Sequence, residues 1–249
     1  MLHGTTTSKA GLGKAKGVVL GYVRVNKIGK RKGGDLRSQG IENKNVSMES
    51  VISQFIPVNE EDLESLDFID TGKSQKAWLN STVIDAYLAV LAIGREDTLI
   101  LSAETRTYPF EEMERYSQTI IPSFAFRHWS LIHIVEKEAW YFNSQSSAGV
   151  TSGYDDEVLG PLRKRGYKIH IVKASQQCNG NDCGVYTCFF AKCILGSSKP
   201  GYTSDDEGEV VPGGTCRLTC PNAKFFRNEI KNTILENLKQ IAHGDDFED

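Results

Sequence analysis

Short β-branched stretches, and stretches in which apolar and polar residues alternate, occur at several places along the chain and predict β-strands. The clearest is His128–Val135, which a short turn at 136–138 connects to a second apolar stretch at 139–144. Two strands on either side of a short turn predict an antiparallel pair. Residues 167–172 predict a third strand, and shorter strands are expected at 51–57, 98–102 and 119–122.

Other segments repeat their apolar residues at the spacing of a helix. After Asn80 or Ser81, either of which is a good N-cap, apolar positions recur until Gly94 ends the predicted helix. Residues 225–241 predict an amphipathic closing helix, and shorter helices are expected at 60–66, 110–117 and 158–165. Helices, then a few paired strands, then helices, without alternating βαβ units or an internal repeat, predict an α+β fold.

The first 45 residues differ in composition from the rest of the chain. Ten Lys or Arg residues stand against two acidic residues between Lys9 and Lys44, so we predict a basic flexible tail over residues 1–45. Within it, the apolar run 18–25 could form one strand, and the basic cluster could instead serve nuclear import or an anionic partner. The folded domain is predicted over 46–249, with a surface insertion at about 196–216 that is rich in Gly, Pro, Ser and Asp.

Charge and composition narrow the function classes. The net charge of −3 gives no field that favours nucleic acid, and the chain has neither an apolar run of membrane-spanning length nor a signal peptide. We therefore expect a protein of the nucleus or cytoplasm whose six cysteines are thiols. We also expect a monomer. All six lie between Cys178 and Cys220, but their spacing does not match a zinc site, so neither a metal nor another cofactor is expected.

One cysteine stands where a nucleophile is expected. Cys183 follows a turn-forming run at 178–182 and precedes an apolar, helix-length segment at 185–195, so it should lie about where a helix begins. Asp182 is a good N-cap, and the N–H groups and positive dipole end of a helix start favour a thiolate over a thiol. Gly184 leaves room for a substrate backbone to come close. The competing interpretation is a buried structural cysteine before a core helix.

Three polar residues can complete an acyl-transfer site around this thiol. His128 opens a strand, and the hairpin brings Asn143, at the end of the partner strand, close enough to accept the imidazole Nδ1–H. Gln177 lies six residues before Cys183, and its side-chain amide could donate to a tetrahedral oxyanion together with the Cys183 backbone N–H.

Several separate motifs, in order along the chain, carry a family resemblance. They are Trp78-Leu79-Asn80 followed by Val83-Ile84, then His128-Trp129-Ser130-Leu131, then the run Gln177–Val185, and finally Phe226-Arg227. These resemble the Trp-Leu-Asn, His-Trp-Ser-Leu, Gln-x-Asn-x-x-Asp-Cys-Gly and Phe-Arg motifs of the ubiquitin-like-protein-specific cysteine proteases. That family contains the SUMO (sentrin-specific) proteases and their adenovirus-protease relatives, and the resemblance covers roughly residues 46–243.

The resemblance implies a papain-like α+β fold, with a central mixed or antiparallel sheet flanked by helices and the nucleophile at a helix N-terminus. Cys183 would be the nucleophile, His128 the general base and acid, and Gln177 the oxyanion donor. Trp78 and Trp129 would wall a tunnel through which only the C-terminal Gly-Gly of SUMO or a related tag can thread. The partners would then be such a tag and its conjugates, and the reaction would be deconjugation or maturation. Core packing is the competing interpretation of the two indoles.

Asn143 departs from the family pattern, in which this position usually holds Asp. A carboxylate orients the imidazole and stabilises the imidazolium, whereas a neutral amide only orients it. Two interpretations follow: a working Cys-His-Asn protease, or a weakened pseudo-protease that mainly binds the tag. Two more stay open: a NEDD8- or ubiquitin-directed protease, and a pathogen effector with the same triad and deubiquitinase or acetyltransferase activity. Nearby acidic residues that could replace the missing carboxylate are Asp155, Asp156 and Glu157.

Overall fold

The computed structural model describes residues 19–26, 53–67, 77–145, 154–196, 202–204, 210–212 and 220–244. The basic cluster near residue 31, most of the predicted insertion and the acidic C-terminal tail lie outside these ranges. The elements, in chain order, are β1 (Val19–Asn26), β2 (Ser53–Asn59), α1 (Glu60–Asp67), α2 (Ser81–Leu91), β3 (Thr98–Ile100), α3 (Phe110–Met113), β4 (Gln118–Ala125), β5 (His128–Val135), β6 (Glu138–Phe142), α4 (Tyr154–Lys164), β7 (Lys168–Val172), α5 (Cys183–Gly196), β8 (Tyr202–Ser204), β9 (Val210–Pro212) and α6 (Cys220–Gly244).

The central sheet has the strand order β3-β4-β5-β6-β7-β9-β8 and is mixed. Strands β4, β5 and β6 form the predicted antiparallel meander, while β3 joins β4, β7 joins β6 and β9 joins β7 in parallel. Helices surround this sheet, so the predicted α+β class, with a central mixed sheet, is confirmed.

A second, two-stranded sheet lies nearer the N-terminus. Strand β1 pairs antiparallel with β2, in a register that sets Tyr22 opposite Pro57. The predicted tail therefore contributes one strand, formed by the apolar run that the sequence singled out. The division of the chain at residue 45 stays a prediction, because residues 27–52 lie outside the described ranges.

Side chains that alternate along the central strands pack into two separate hydrophobic cores, one on each face of the sheet. On one face, Leu131 of β5 and Phe142 of β6 pack in a cluster with apolar residues of α2, α5 and α6. On the other face, Ile132 and Tyr141 pack with Leu159 of α4. Burying each large apolar side chain contributes about 1.5–3 kcal/mol, so the central strands are held from both sides. Helix α5, which begins at Cys183, contributes most of its buried residues to the first core.

Several element ends differ from the sequence prediction; helices α4 and α6, for example, begin at Tyr154 and Cys220, before the predicted 158 and 225. Two other differences have a clear structural cause. Helix α3 ends at Met113, earlier than the predicted 110–117, because the chain turns there and the N–H of Ser117 bonds to the carbonyl of Asp97. Strand β4 runs on to Ala125, past the predicted end at residue 122, because residues up to Ala125 stay paired with β5. The hairpin therefore reaches the residue before its turn and brings His128 to the end of the sheet.

Candidate active site

Cys183 is the first residue of α5, and its side chain is buried. Burial raises the pKa of this thiol above its ordinary value, and the negative charge of Asp182 acts in the same direction. Hydrogen bonds from the backbone N–H groups of Trp129 and Gly184 oppose the shift without cancelling it. The expectation that the helix start would favour a thiolate is therefore wrong for this state, because desolvation outweighs the nearby N–H donors.

His128 and Asn143 meet as the hairpin predicts. The His128 Nε2 and Asn143 Oδ1 atoms are 2.8 Å apart, so the bond uses Nε2 and not the Nδ1 expected from sequence. The β5–β6 register, with Leu131 opposite Phe142, brings Asn143 beside the first residues of β5. Burial lowers the pKa of His128 below its ordinary value, and the hydrogen bond that the ring donates to Asn143 opposes this shift without cancelling it.

The thiol lies against the same strand end as the imidazole. One backbone N–H that bonds to the Cys183 sulfur belongs to Trp129, the residue that directly follows His128 in β5. The start of α5 and the start of β5 are therefore in contact, since α5 packs on β5. The helix start that carries the thiol therefore lies beside the strand start that carries the imidazole, and the imidazole bonds to the Asn143 amide.

Further hydrogen bonds fix the orientation of the Asn143 amide. Its Oδ1 also accepts from the backbone N–H of Gln145 at 2.8 Å, and its Nδ2 donates to the Tyr141 hydroxyl at 3.3 Å. Because Tyr141 is buried, the amide cannot flip without losing these partners. The oxygen therefore faces the imidazole, as an orienting residue requires.

Gln177 is held at two points by Ser144. The Gln177 backbone N–H donates to the Ser144 carbonyl at 2.8 Å, and the Ser144 hydroxyl donates to Gln177 Oε1 at 2.7 Å. Gln177 Nε2 donates one hydrogen to the Asn179 carbonyl at 2.6 Å, and an amide nitrogen carries a second. Ser144 is buried, and the sequence reading missed its role although it directly follows Asn143.

The loop before Cys183 is built around Asn179. Its side-chain oxygen accepts from the backbone N–H groups of Asn181 and Asp182, and its Nδ2 donates to the Asp182 carboxylate at 2.8 Å. Asp182 was expected to cap α5, but its Oδ1 instead accepts from the Arg227 guanidinium, with 3.0 Å to Nε. The Asp182 carboxylate is thus engaged by a buried guanidinium and does not cap α5.

The two indoles, from separate parts of the chain, are both anchored by hydrogen bonds. Trp78 Nε1 donates to Asn181 Oδ1 and Trp129 Nε1 donates to the Leu79 carbonyl, each at 3.0 Å. Trp129 is buried and packs on Phe124, with ring centroids 4.5 Å apart, so the core-packing interpretation applies to this residue. Trp78 is half-buried. Both indoles line one groove of about 500 Å³, which an extended peptide could enter.

The turn between β4 and β5 carries two residues in the left-handed region. Phe126 has a φ of 47° and Arg127 a φ of 64°, values that cost a non-glycine residue roughly 1–2 kcal/mol each. The Arg127 guanidinium lies 4.9 Å from the centroid of the Trp78 ring. The turn that precedes His128 therefore contacts the Trp78 indole.

Gly184 serves a different purpose from the one expected. A Cβ built on this residue would lie 2.9 Å from Leu79 Cβ and 3.3 Å from Trp129 Cδ1. The space beside the glycine is thus filled by neighbouring side chains and is not left open for a substrate. Glycine is required here because Leu79 and the indole pack directly against the helix backbone.

The cysteines do not all share one state. Cys183, Cys188 and Cys193 are thiols, whereas Cys178 is disulfide-bonded, which contradicts the expectation of thiols throughout. Among the described residues, no group of three His, Cys, Asp or Glu side chains is arranged to hold a metal ion. Within the same ranges, every helix is too short or too polar to cross a membrane.

The sequence match between this chain and a known protein is short. No family model matches the chain. Over 72 residues it is 35% identical to the NEDD8-specific protease 2 of Schizosaccharomyces pombe, a match that covers 27% of this chain and 17% of that protein. The chain thus spans about a sixth of the length of that curated relative.

Solved structures are similar over most of the chain. The Ulp1 protease domain in complex with Smt3, the yeast orthologue of SUMO, is 17% identical, with a TM-score of 0.52 over 73% of this chain and 84% of that chain. SUMO protease Ulp1 with its catalytic cysteine oxidised to a sulfenic acid is 16% identical, with a TM-score of 0.53 over 73% of this chain and 85% of that one. A de-sumoylating protease is 13% identical, with a TM-score of 0.50 over 77% and 92%. The resemblance first seen in the motifs is thus confirmed for the architecture, and the chain has the Ulp1-type fold of the ubiquitin-like-protein-specific cysteine proteases.

Proposed function

We propose that this protein is a cysteine protease that hydrolyses the peptide or isopeptide bond after the C-terminal Gly-Gly of SUMO or a related ubiquitin-like protein. The observation that carries the proposal is the convergence of three groups. The Cys183 thiol accepts a hydrogen bond from the backbone of Trp129, and the imidazole of the preceding residue, His128, is oriented by Asn143 at 2.8 Å.

The proposed reaction begins with a neutral pair. Burial keeps the proton on the Cys183 sulfur and off the His128 ring, since it raises the pKa of the thiol and lowers that of the imidazole. As Sγ attacks the carbonyl carbon after the second glycine, His128, which Asn143 holds through Nε2, takes the thiol proton. The imidazolium then returns the proton to the departing amine, which breaks the C–N bond.

The intermediates need two further contributions. In the tetrahedral intermediate, the oxyanion accepts from the Cys183 backbone N–H and from the second Nε2 hydrogen of Gln177, whose amide Ser144 holds in place. Water, deprotonated by His128, then attacks the thioester carbonyl and releases the tag with a free C-terminal carboxylate. The thiol recovers its proton, and the cycle closes without a metal or an oxidant.

The groove lined by the two indoles supports the proposed preference for glycine in the tag. An extended chain that passes between Trp78 and Trp129 must carry no side chain at that point, which favours consecutive glycines. The fold relatives that act on SUMO support SUMO as the tag. The relative named for NEDD8 supports NEDD8 as the second candidate.

A tag-binding pseudo-protease is the competing function. It is favoured by the neutral Asn143, which stabilises an imidazolium less than a carboxylate would, and by the burial that holds Cys183 as a thiol. Such a protein would hold a tag in the groove without forming an acyl-enzyme.

The deciding experiment offers SUMO, NEDD8 and ubiquitin, each with a C-terminal electrophile, to the wild type, to Cys183→Ala and to Cys193→Ala. The last is the matched control, since Cys193 is also a thiol of α5 but lies outside the site. We expect one tag to form a covalent adduct with the wild type and the control but not with Cys183→Ala. Adducts that persist in Cys183→Ala would show a different nucleophile. Binding without any adduct would establish the pseudo-protease.

A further inference from the structure

Arg227 is a buried cation that the proposed chemistry does not use. It lies in α6 and is only 3% exposed, so its guanidinium must find all its partners within the protein. Its bonds to Asp182 Oδ1 measure 3.0 Å from Nε and 2.5 Å from Nη2. Nη1 donates to the Ser65 carbonyl at 2.7 Å, and Nη2 donates to the Ala77 carbonyl at 2.8 Å.

These partners belong to three separate segments. Asp182 directly precedes the nucleophile, Ala77 directly precedes Trp78, and Ser65 lies in α1. One planar group therefore fixes the backbone on both sides of the proposed tunnel. A charged pair alone would need only the carboxylate, so the two carbonyl bonds give the guanidinium a role beyond neutralising Asp182.

Asn181 makes a second connection between the same two segments. Its Oδ1 accepts the indole N–H of Trp78 at 3.0 Å, and its own backbone N–H bonds to Asn179 in the nucleophile loop. Asn181 is 4% exposed, which shields this bond from competing water. The indole is thus tied at its ring to the loop and, through Ala77 and Arg227, at its backbone to the same loop.

We propose that Arg227 and Asn181 are positioning residues that together set the distance between the Trp78 indole and the Cys183 thiol. This inference rests on the proposed protease function and adds residues that act through others. The distance decides whether a Gly-Gly segment held at the indole presents its carbonyl to the sulfur. A misplacement of about 1 Å can cost a reaction about 100-fold.

The test compares two reactions of the same thiol. Hydrolysis of the preferred tag, carrying a fluorogenic C-terminal amide, requires both the indole and the sulfur in register. Alkylation of Cys183 by iodoacetamide, followed by peptide mass spectrometry, requires only the sulfur. For Asn181→Ala we expect kcat/KM for the tag to fall at least about tenfold while alkylation stays within about threefold. Arg227→Lys, which keeps the charge but cannot reach both carbonyls, should show the same split.

Two further variants sharpen the result. Trp78→Phe keeps a ring but removes the indole donor, so the double variant with Asn181→Ala should be no slower than the slower single variant. Lys231→Met is the matched control, since it breaks the 2.6 Å contact of α6 with Asp67 of α1 away from the tunnel. It should leave both reactions at the wild-type rates. If Arg227→Lys fails to fold, Asn181→Ala and Trp78→Phe still decide the matter.

The outcomes separate the two proposals. Equal losses in hydrolysis and alkylation, or no loss in either, would overturn the positioning role of Arg227 and Asn181. A wild type that hydrolyses none of the tags would overturn the protease function alone. In that event, the affinity of the tag for the wild type and for Asn181→Ala tests the positioning role, which requires weaker binding in the variant.

Discussion

Replacing Asn143 by Asp should convert the neutral thiol and imidazole into a partly populated ion pair. The site accepts this change without rearrangement. One carboxylate oxygen keeps the 2.8 Å contacts to His128 Nε2 and to the Gln145 N–H. The other replaces Nδ2 at 3.3 Å from the Tyr141 hydroxyl, which can turn its proton to donate.

The magnitude follows from the new charge. Two unit charges about 4 Å apart interact by about 4 kcal/mol at an effective dielectric constant of 20. His128 is half-buried and the carboxylate must be partly desolvated, so we expect a smaller net gain of about 1.4–2.7 kcal/mol. This corresponds to a rise of about one to two units in the pKa of His128. The fraction of thiolate–imidazolium pairs should then rise about 10- to 100-fold.

The assay is the pH dependence of Cys183 alkylation by iodoacetamide, measured between about pH 4 and 10 across the ordinary pKa values of His and Cys. In the wild type, the pKa of Cys183 lies above its ordinary value, so reactivity should rise mainly at alkaline pH. In Asn143→Asp, a plateau of reactivity should extend to lower pH, and tag hydrolysis should be kept or increased. Asn143→Ala removes the orienting oxygen, and its tag hydrolysis should fall about 100-fold or more.

Two results would refute this reasoning. An Asn143→Asp profile that superposes on that of the wild type would mean that residue 143 does not act on the charge of His128. Wild-type rates of tag hydrolysis for Asn143→Ala would remove the residue from the mechanism.

Three further predictions concern neighbouring residues. Ser144→Ala removes the donor to Gln177 Oε1 and should lower kcat for tag hydrolysis about tenfold or more with little change in KM, whereas Ser144→Thr should retain most of the rate; an unchanged kcat for Ser144→Ala would argue against the clamp. Gly184→Ala forces a methyl group against Leu79 and should lower the free energy of unfolding by about 1–3 kcal/mol, as measured by urea denaturation. Burial lowers the pKa of His133 to about 4, so between pH 6.5 and 4 the unfolded chain binds a proton at this residue and the folded chain does not. The free energy of unfolding should therefore fall by up to about 3 kcal/mol as the pH is lowered over this range. His133→Gln should flatten that part of the stability profile, and an unchanged slope would contradict it.

The β5–β6 hairpin could be predicted from sequence because local information fixes it. A β-branched, partly alternating stretch over His128–Val135, followed by a short turn, predicts a hairpin, and the observed register brings Asn143 to the imidazole. The start of α5 at Cys183 was equally readable, since a turn-forming run precedes an apolar helix. These short-range signals were enough to predict that Asn143 lies beside His128 and that Cys183 lies at the start of a helix.

What the sequence could not supply depends on contacts between distant segments. The use of Nε2, the desolvation of the thiol and the packing against Gly184 are set by residues far away along the chain. Arg227 was identified from sequence only as part of a motif. Its ion pair with Asp182 could not be predicted, because the two residues are far apart along the chain. The strand β1 in the basic segment was foreseen only as an isolated apolar run, since its partner β2 follows after residues of no clear pattern.

The buried ion pair of Arg227 also bears on how the protein is made. The nucleophile loop emerges from the ribosome before α6, so during synthesis the Asp182 carboxylate is without its guanidinium partner. Domains generally fold as units. A nascent chain that ends before residue 227 therefore carries every proposed catalytic side chain but lacks the contact that sets them in place. The proposed protease activity therefore requires that the chain has been translated beyond α6.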